Sequence, residues 1–225
     1  MPADASGAQT QESVTEVELK LRTSDRLVLR RLARRLWLGD ARLGPARTVD
    51  ELDRYLDTAD GRFAAAAWAC RLRGREGSTI VSLKGPRSAR DRAGSLHVRP
   101  ELEGAATPDP DPRAWPASRA RDLVLRLADG RRLVERLQLR QRRTERSVEV
   151  GGERIGLLSL DRVEVVHASA RLGHLLVVEL ELAPGTPSAR ANAAVQALQA
   201  IPGLHPDPHS KLEHALEMIG DTRGS

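Results

Sequence analysis

At 225 residues the chain is long enough for one domain with a full core, and a hydrophobic share of 40% does not suggest disorder. Its 36 Lys and Arg against 31 Asp and Glu leave a net charge of +5, a modest excess that favours an anionic partner. A single cysteine, Cys70, excludes an intramolecular disulfide and a cysteine-rich zinc site, and no apolar run approaches the roughly 20 residues that span a bilayer.

The N-terminal stretch MPADASGAQTQES is polar and has no apolar signal core, so residues 1–13 are expected to be a disordered leader and the protein cytoplasmic. From Val14 onward, alternation of period two dominates. Val17, Leu19 and Leu21 alternate with Glu16, Glu18 and Lys20, which describes a strand with one apolar and one charged face. Residues 24–38 read as a helix capped by Ser24, with Leu27, Val28, Leu32 and Leu36 as its apolar stripe and Trp37 in the core. Strands are predicted over 48–57, 66–73, 78–84 and 95–103, with Trp68 and the thiol of Cys70 buried. Thr107-Pro108-Asp109-Pro110-Asp111-Pro112 cannot be helix or central strand and forms a loop. A helix follows over 118–128, then strands over 133–144, 147–150, 155–166 and 175–182, with Gly151-Gly152 as a hairpin turn. Helices over 188–200 and 210–219 complete a single domain of residues 14–219, followed by a tail of 220–225.

Successive strands carry Glu-x-Glu-x-Lys, Arg-x-Arg, Arg-x-Glu-x-Glu, Arg-x-Arg and Glu-x-Glu on their polar face. Closing such a sheet into a barrel turns the charges inward and the leucines outward, where the predicted helices cover them. The expected fold class is therefore α+β, a β-barrel with helices packed on its outside. A charged interior is unfavourable unless opposite charges pair or a ligand and metal complete it, which makes that interior the candidate site.

Side chains i and i+2 of a strand lie about 6.5–7 Å apart on one face. Glu16 with Glu18, and Glu179 with Glu181, each project two carboxylates, hard oxygen ligands suited to Mg²⁺ or Mn²⁺. Arg71 with Arg73, and Arg140 with Arg142, are spaced to grip successive phosphoryl groups, and Lys20, Lys84 and Lys211 add point charges. The histidines at 97, 167, 174, 205, 209 and 214 form no convincing ligand set, and His205 and His209 read as solvated in a Pro-rich loop. The sequence has no Gly-rich phosphate loop and no nucleophile elbow.

Glu16-Val17-Glu18-Leu19-Lys20 resembles the ExExK signature of the CYTH superfamily, the triphosphate tunnel metalloenzymes. Later segments extend the resemblance in order: Tyr55-Leu56-Asp57-Thr58, Arg71-Leu72-Arg73, Ser82-Leu83-Lys84-Gly85-Pro86, Arg99-Pro100-Glu101-Leu102-Glu103, the run from Arg140 to Arg143, Asp161, Glu179-x-Glu181 and Ser210-Lys211-Leu212. The resemblance implies an eight-stranded antiparallel tunnel that binds triphosphates with Mg²⁺ or Mn²⁺. It implies Glu16, Glu18, Glu179 and Glu181 as the metal-binding catalytic set, and Lys20, Arg71, Arg73, Lys84, Arg99, Arg140, Arg142 and Lys211 on phosphate. Glu101, Glu103 and Asp161 would support them. Arg142 shares a face with Arg140 by alternation, whereas a bulge would bring Arg143 inward instead.

The implied reaction is hydrolysis of inorganic triphosphate to diphosphate and phosphate, with metal and arginines offsetting charge on the transferred group. Two other readings remain: a nucleotide-directed member (adenylate cyclase or nucleoside or thiamine triphosphatase), and a non-catalytic polyphosphate-binding module. Only five aromatic residues, Trp37, Tyr55, Phe63, Trp68 and Trp115, disfavour a ring-binding pocket, while the two Glu-x-Glu pairs favour an enzyme over a simple anion binder. The expected partner is a small anionic substrate. Basic residues alternate with acidic ones and form no aromatic-studded stripe, so neither nucleic acid nor membrane is an expected partner. The sequence carries no signal of oligomeric state.

Overall fold

Strict alternation of charge and leucine cannot be buried in an open two-layer sheet without burying the charges against helices, and this chain closes the sheet on itself instead. The structure, a computed structural model, describes residues 14–87 and 96–223. The leader expected at 1–13 and the first residue of the strand expected from 95 lie outside them. In chain order the elements are β1 (Val14–Thr23), α1 (Arg26–Arg34), β2 (Trp37–Leu38), β3 (Ala41–Leu43), β4 (Arg47–Thr58), α2 (Arg62–Ala65), β5 (Ala69–Arg75), β6 (Ser78–Lys84) and β7 (Leu96–Ala105). They continue with α3 (Arg119–Ala128), β8 (Leu133–Val150), β9 (Glu153–His167), β10 (Ala170–Leu182), α4 (Ser188–Gln199), β11 (His205–Pro206) and α5 (Lys211–Arg223). Antiparallel pairing runs β8-β4-β5-β6-β7-β1-β10-β9 and returns from β9 to β8, so eight strands form a closed barrel. The β2–β3 hairpin extends from the end of β8, and β11 adds to β1.

The outward faces are apolar and lie under helices. Leu19 and Leu21 of β1, Leu158 and Leu160 of β9, and Leu176, Val178 and Leu180 of β10 pack with Val28, Leu29 and Leu32 of α1 and Ala194 and Leu198 of α4. On the opposite side, Leu56, Cys70, Leu72, Val81 and Leu83 pack with Phe63 of α2, Trp115, and Ala120 and Val124 of α3. Burial there pushes the Cys70 thiol up to about 12, as expected of a structural cysteine. A third cluster lies inside the barrel. Leu137 and Leu139 of β8 and Val163 and Val165 of β9 point inward and meet Ala215 and Ile219 of α5, which fills that end.

Several local expectations change. The helix expected over 24–38 starts after Asp25, whose Oδ1 accepts from Leu27 N at 2.7 Å, so Asp25 and not Ser24 is its cap. It stops at Arg34 because Arg146 donates to the carbonyls of Leu32 and Ala33 at 3.4 and 3.1 Å, and to that of Arg35. The same guanidinium also donates to Leu43 and Gly44 at 3.0 and 2.7 Å, tying the helix end to β3. Leu36 and Trp37 beyond that end, and Leu27 in the first turn, are exposed rather than core. The strands expected over 133–144 and 147–150 are one continuous β8, and α5 continues through the expected tail to Arg223. Asp57 accepts from Phe63 N and Ala64 N at 2.9 and 3.1 Å, so the Asp-Thr pair ends β4 and starts α2.

The hairpins differ in backbone comfort. Gly151 and Gly152 take φ of 60° and 83° between β8 and β9, a primed turn that glycine adopts freely. Ala168 and Ser169 adopt φ of 46° and 67° between β9 and β10, where a Cβ is unfavourable. Replacing the pair by Asn-Gly is expected to stabilise the protein by about 1–2 kcal/mol, read as a higher denaturant midpoint.

Candidate active site

The barrel encloses a cavity of about 570 Å³ whose wall carries eight basic and eight acidic side chains. On β1, Glu16, Glu18 and Lys20 face it, and on β10 Glu179 and Glu181 do. Strand pairing sets Glu18 directly opposite Glu181 and Lys20 opposite Glu179. Lys20 Nζ stands 2.9 Å from Glu18 and 3.2 Å from Glu179. Glu16 accepts from Arg99 Nε at 3.0 Å and from Lys84. Lys84 also lies 3.4 Å from Glu101, whose carboxylate accepts from Ser82 at 2.7 Å.

Two buried carboxylates organise the deeper cations. Asp53, fully buried, accepts from Arg73 at 2.7 and 2.9 Å, from Arg71 at 3.3 Å and from Gln141 at 2.6 Å. Asp161, equally buried, takes a two-pronged contact from Arg143 at 2.8 and 2.7 Å and one from Lys211 at 2.5 Å. Arg143 and Lys211 each reach Glu179 as well, both at 2.9 Å. Lys211 opens α5, so the helix filling the barrel's end also delivers a cation into the cavity.

Burial alone would raise every carboxylate pKa here, and the neighbouring charges decide the outcome. Arg71 and Arg73 outweigh burial at Asp53 and hold it below its ordinary value; Lys211, Lys20 and Arg143 do the same at Glu179. Glu181 lacks such a partner. Burial within the tunnel wall and repulsion from Glu16 push it up to about 7, although its carboxylate stands open to the lumen. Glu103 is likewise raised, by burial and by Glu101.

The donor set fits a hard divalent cation. Glu18 Oε1 is buried with Lys20 Nζ at 2.9 Å and Arg99 at 4.0 Å, Glu181 makes no ion pair among the described residues, and the two glutamates pair across adjacent strands. Like charges directly opposite destabilise a sheet unless something positive lies between them. Glu16 belongs to the same wall, whereas Glu179 is already clasped by three cations and is the least available of the four.

Of the expected site residues, Glu16, Glu18, Lys20, Arg71, Arg73, Lys84, Arg99, Glu101, Glu103, Glu179, Glu181 and Lys211 line the cavity, and Asp161 lies behind its wall. Arg140 and Arg142 do not: both are exposed on the outside of β8, Arg140 beside Glu164 at 3.9 Å and Arg142 opposite Arg162. The cause is a register shift where Tyr55 pairs with Leu137 but Leu56 with Glu135. One extra residue exchanges the two faces of the strand, so Gln141, Arg143 and Glu145 point inward. Sequence reasoning missed Asp53, Glu51, Gln141, Arg75 and Glu145. Glu51 and Asp53 share the phase of Tyr55 on β4, a signal present in the alternation. Arg143→Gln is expected to lower triphosphate turnover on the order of 10²-fold, whereas Arg142→Gln leaves it within about twofold, as steady-state kinetics would show.

The CYTH domain family model matches residues 15–216. Among solved structures, a Hippeastrum protein described as an adenylyl cyclase candidate with a dominant triphosphatase activity is 20% identical, with a TM-score of 0.66 over 90% of this chain and 95% of that one. An adenylate cyclase candidate from Bacillus halodurans is 18% identical, with a TM-score of 0.57 over 89% of this chain and 97% of its own. The PH1819 protein of Pyrococcus horikoshii is 20% identical, with a TM-score of 0.54 over 89% and 98%. These likenesses establish the fold. No curated protein matches the sequence.

Proposed function

The chain belongs to the CYTH domain family, and from that premise we propose that it is a metal-dependent triphosphatase that hydrolyses inorganic triphosphate to diphosphate and phosphate inside its barrel. The observation that carries this reading is Glu181, a carboxylate with no ion pair among the described residues, which stands opposite Glu18 in a lumen otherwise full of matched charges. A pure anion binder has no use for such a pair, whereas a metal–triphosphate substrate supplies a cation to the carboxylates and an anion to the bases. Glu16, Glu18 and Glu181, with Glu179 beside them, would hold Mg²⁺ or Mn²⁺. A divalent ion there supplies charge neutralisation on the phosphoryl oxygens and acidifies an attacking water.

The remaining work falls to the protein's own cations. Lys20, Arg71, Arg73, Lys84, Arg99, Arg143 and Lys211 surround the lumen as phosphate ligands, each steadied by a carboxylate before substrate arrives. Donors fixed in advance need no reorganisation as charge shifts to the leaving diphosphate, and that is where electrostatic catalysis gains most. Tyr55 is the one aromatic side chain on the cavity wall among the described residues, which favours inorganic triphosphate over a substrate carrying a base. No helix among the described residues is long and apolar enough to cross a membrane.

The test is phosphate release from inorganic triphosphate, ATP, thiamine triphosphate and long-chain polyphosphate, each with Mg²⁺, Mn²⁺ or EDTA. Metal-dependent turnover of inorganic triphosphate in preference to ATP is the expected result. Anion binding without turnover of any of the four would overturn the enzyme reading.

A further inference from the structure

Away from the residues that line the cavity, the loop between β11 and α5 and the first turn of α5 bring together a second set of metal-ligating groups. Ligand atoms of Asp207, His209 and His214 all lie within 4.8 Å of one another. His214 Nε2 is 2.9 Å from both carboxylate oxygens of Asp207. The ring of His209 stands edge-on to that of His214 at 5.3 Å between centroids. We propose that Asp207, His209 and His214 form a transition-metal site, with Zn²⁺ as its preferred occupant, separate from the tunnel and different in donor chemistry.

Two imidazoles and one carboxylate suit zinc better than magnesium, which prefers oxygen and keeps its water. Tetrahedral ligands about 2.1 Å from zinc stand roughly 3.3 Å apart, so small side-chain rotations bring the three into place, with water completing the shell. The surroundings already orient the ligands. Asp207 is buried; its backbone N–H donates to Lys20 O at 3.1 Å, its carbonyl meets His97 Nε2 at 3.1 Å, and its Oδ1 accepts from His209 N at 3.1 Å. With Nε2 of His214 turned to the metal, its Nδ1 faces Glu217 Oε2 at 3.3 Å, the outer carboxylate that commonly fixes the tautomer of a ligating histidine.

The positive end of the α5 dipole opposes a cation here. The carboxylates of Asp207 and Glu217 offset this, and coordination energies exceed it. Ser210 and Lys211 lie between the two histidines, and Lys211 reaches Asp161 and Glu179 inside the tunnel. An ion at this site would therefore pin the segment that carries one of the tunnel's cations.

The experiment is calorimetric titration of the untagged protein with Zn²⁺ in excess Mg²⁺, with the visible spectrum of bound Co²⁺ reporting imidazole ligation. One equivalent is expected in wild type and in Glu16→Gln/Glu18→Gln, and none in His209→Gln/His214→Gln, whose circular dichroism should be unchanged. Glu217→Gln should retain the equivalent with about 10–100-fold weaker affinity. Retention of the equivalent by the double histidine variant, or its loss in the tunnel variant, would show that the ion binds elsewhere. Absence of Zn²⁺ binding in wild type would end the proposal.

Discussion

Glu18→Gln is expected to lower metal-dependent phosphate release from inorganic triphosphate by about 10²–10³-fold, with the melting transition shifted by only a few degrees. The substitution keeps side-chain volume and removes one negative charge. Lys20, which stands 2.9 Å from Glu18, retains Glu179 at 3.2 Å, so no buried cation is abandoned. Glu18 is more informative than Glu16, because Glu16 also holds Lys84 and Arg99, and its loss would disturb phosphate contacts along with metal recruitment. The measurement is turnover against Mg²⁺ and Mn²⁺ concentration. Wild-type activity with an unchanged metal dependence would remove the carboxylate pair from the mechanism.

Asp53→Ala should produce the largest loss of stability, about 3–5 kcal/mol, because it leaves buried guanidinium groups without their carboxylate. Arg71 keeps only a 3.4 Å contact to Ser82 and Arg73 a 3.4 Å approach to Glu51, while Gln141 loses its 2.6 Å acceptor. In a protein whose total stability is on the order of 5–15 kcal/mol, that is a drop of roughly 6–20 °C in melting temperature. Stability against pH provides the sign. Asp53 is held below its ordinary value of 3.8, so its contribution is present above pH 3.8 and is lost as pH falls through that value towards the folded one. The gap between wild type and variant should therefore narrow in acid. A gap independent of pH would mean that the charge of Asp53 is not what stabilises the barrel.

Much of this architecture is visible in the sequence because the interior is charged. The alternation of Val17, Leu19 and Leu21 with Glu16, Glu18 and Lys20 fixes which face of β1 points inward, and β5, β7 and β10 repeat the pattern. What escapes is whatever depends on partners distant in sequence. The bulge beside Arg136 inverts the parity of β8 and sends Arg140 and Arg142 outside, yet it shows only in the pairing with β4. Helix α1 ends two residues before Leu36, the last of its apolar stripe, because Arg146, more than 100 residues away, takes its last carbonyls. Asp53 is read from the sequence as one more acidic residue on a strand. It becomes a central counter-ion only once β5 and β8 bring Arg71, Arg73 and Gln141 around it.

Among the described residues, α5 packs Ala215 and Ile219 against Leu137, Leu139, Val163 and Val165, so one end of the barrel is filled by side chains. On the proposed reading, substrate and products would share the other end, so diphosphate and phosphate would compete with incoming triphosphate for the same cations. A long phosphate chain would then offer only a terminus, and trimming from the end, rather than cutting within the chain, is the mode of attack that such a chamber would favour.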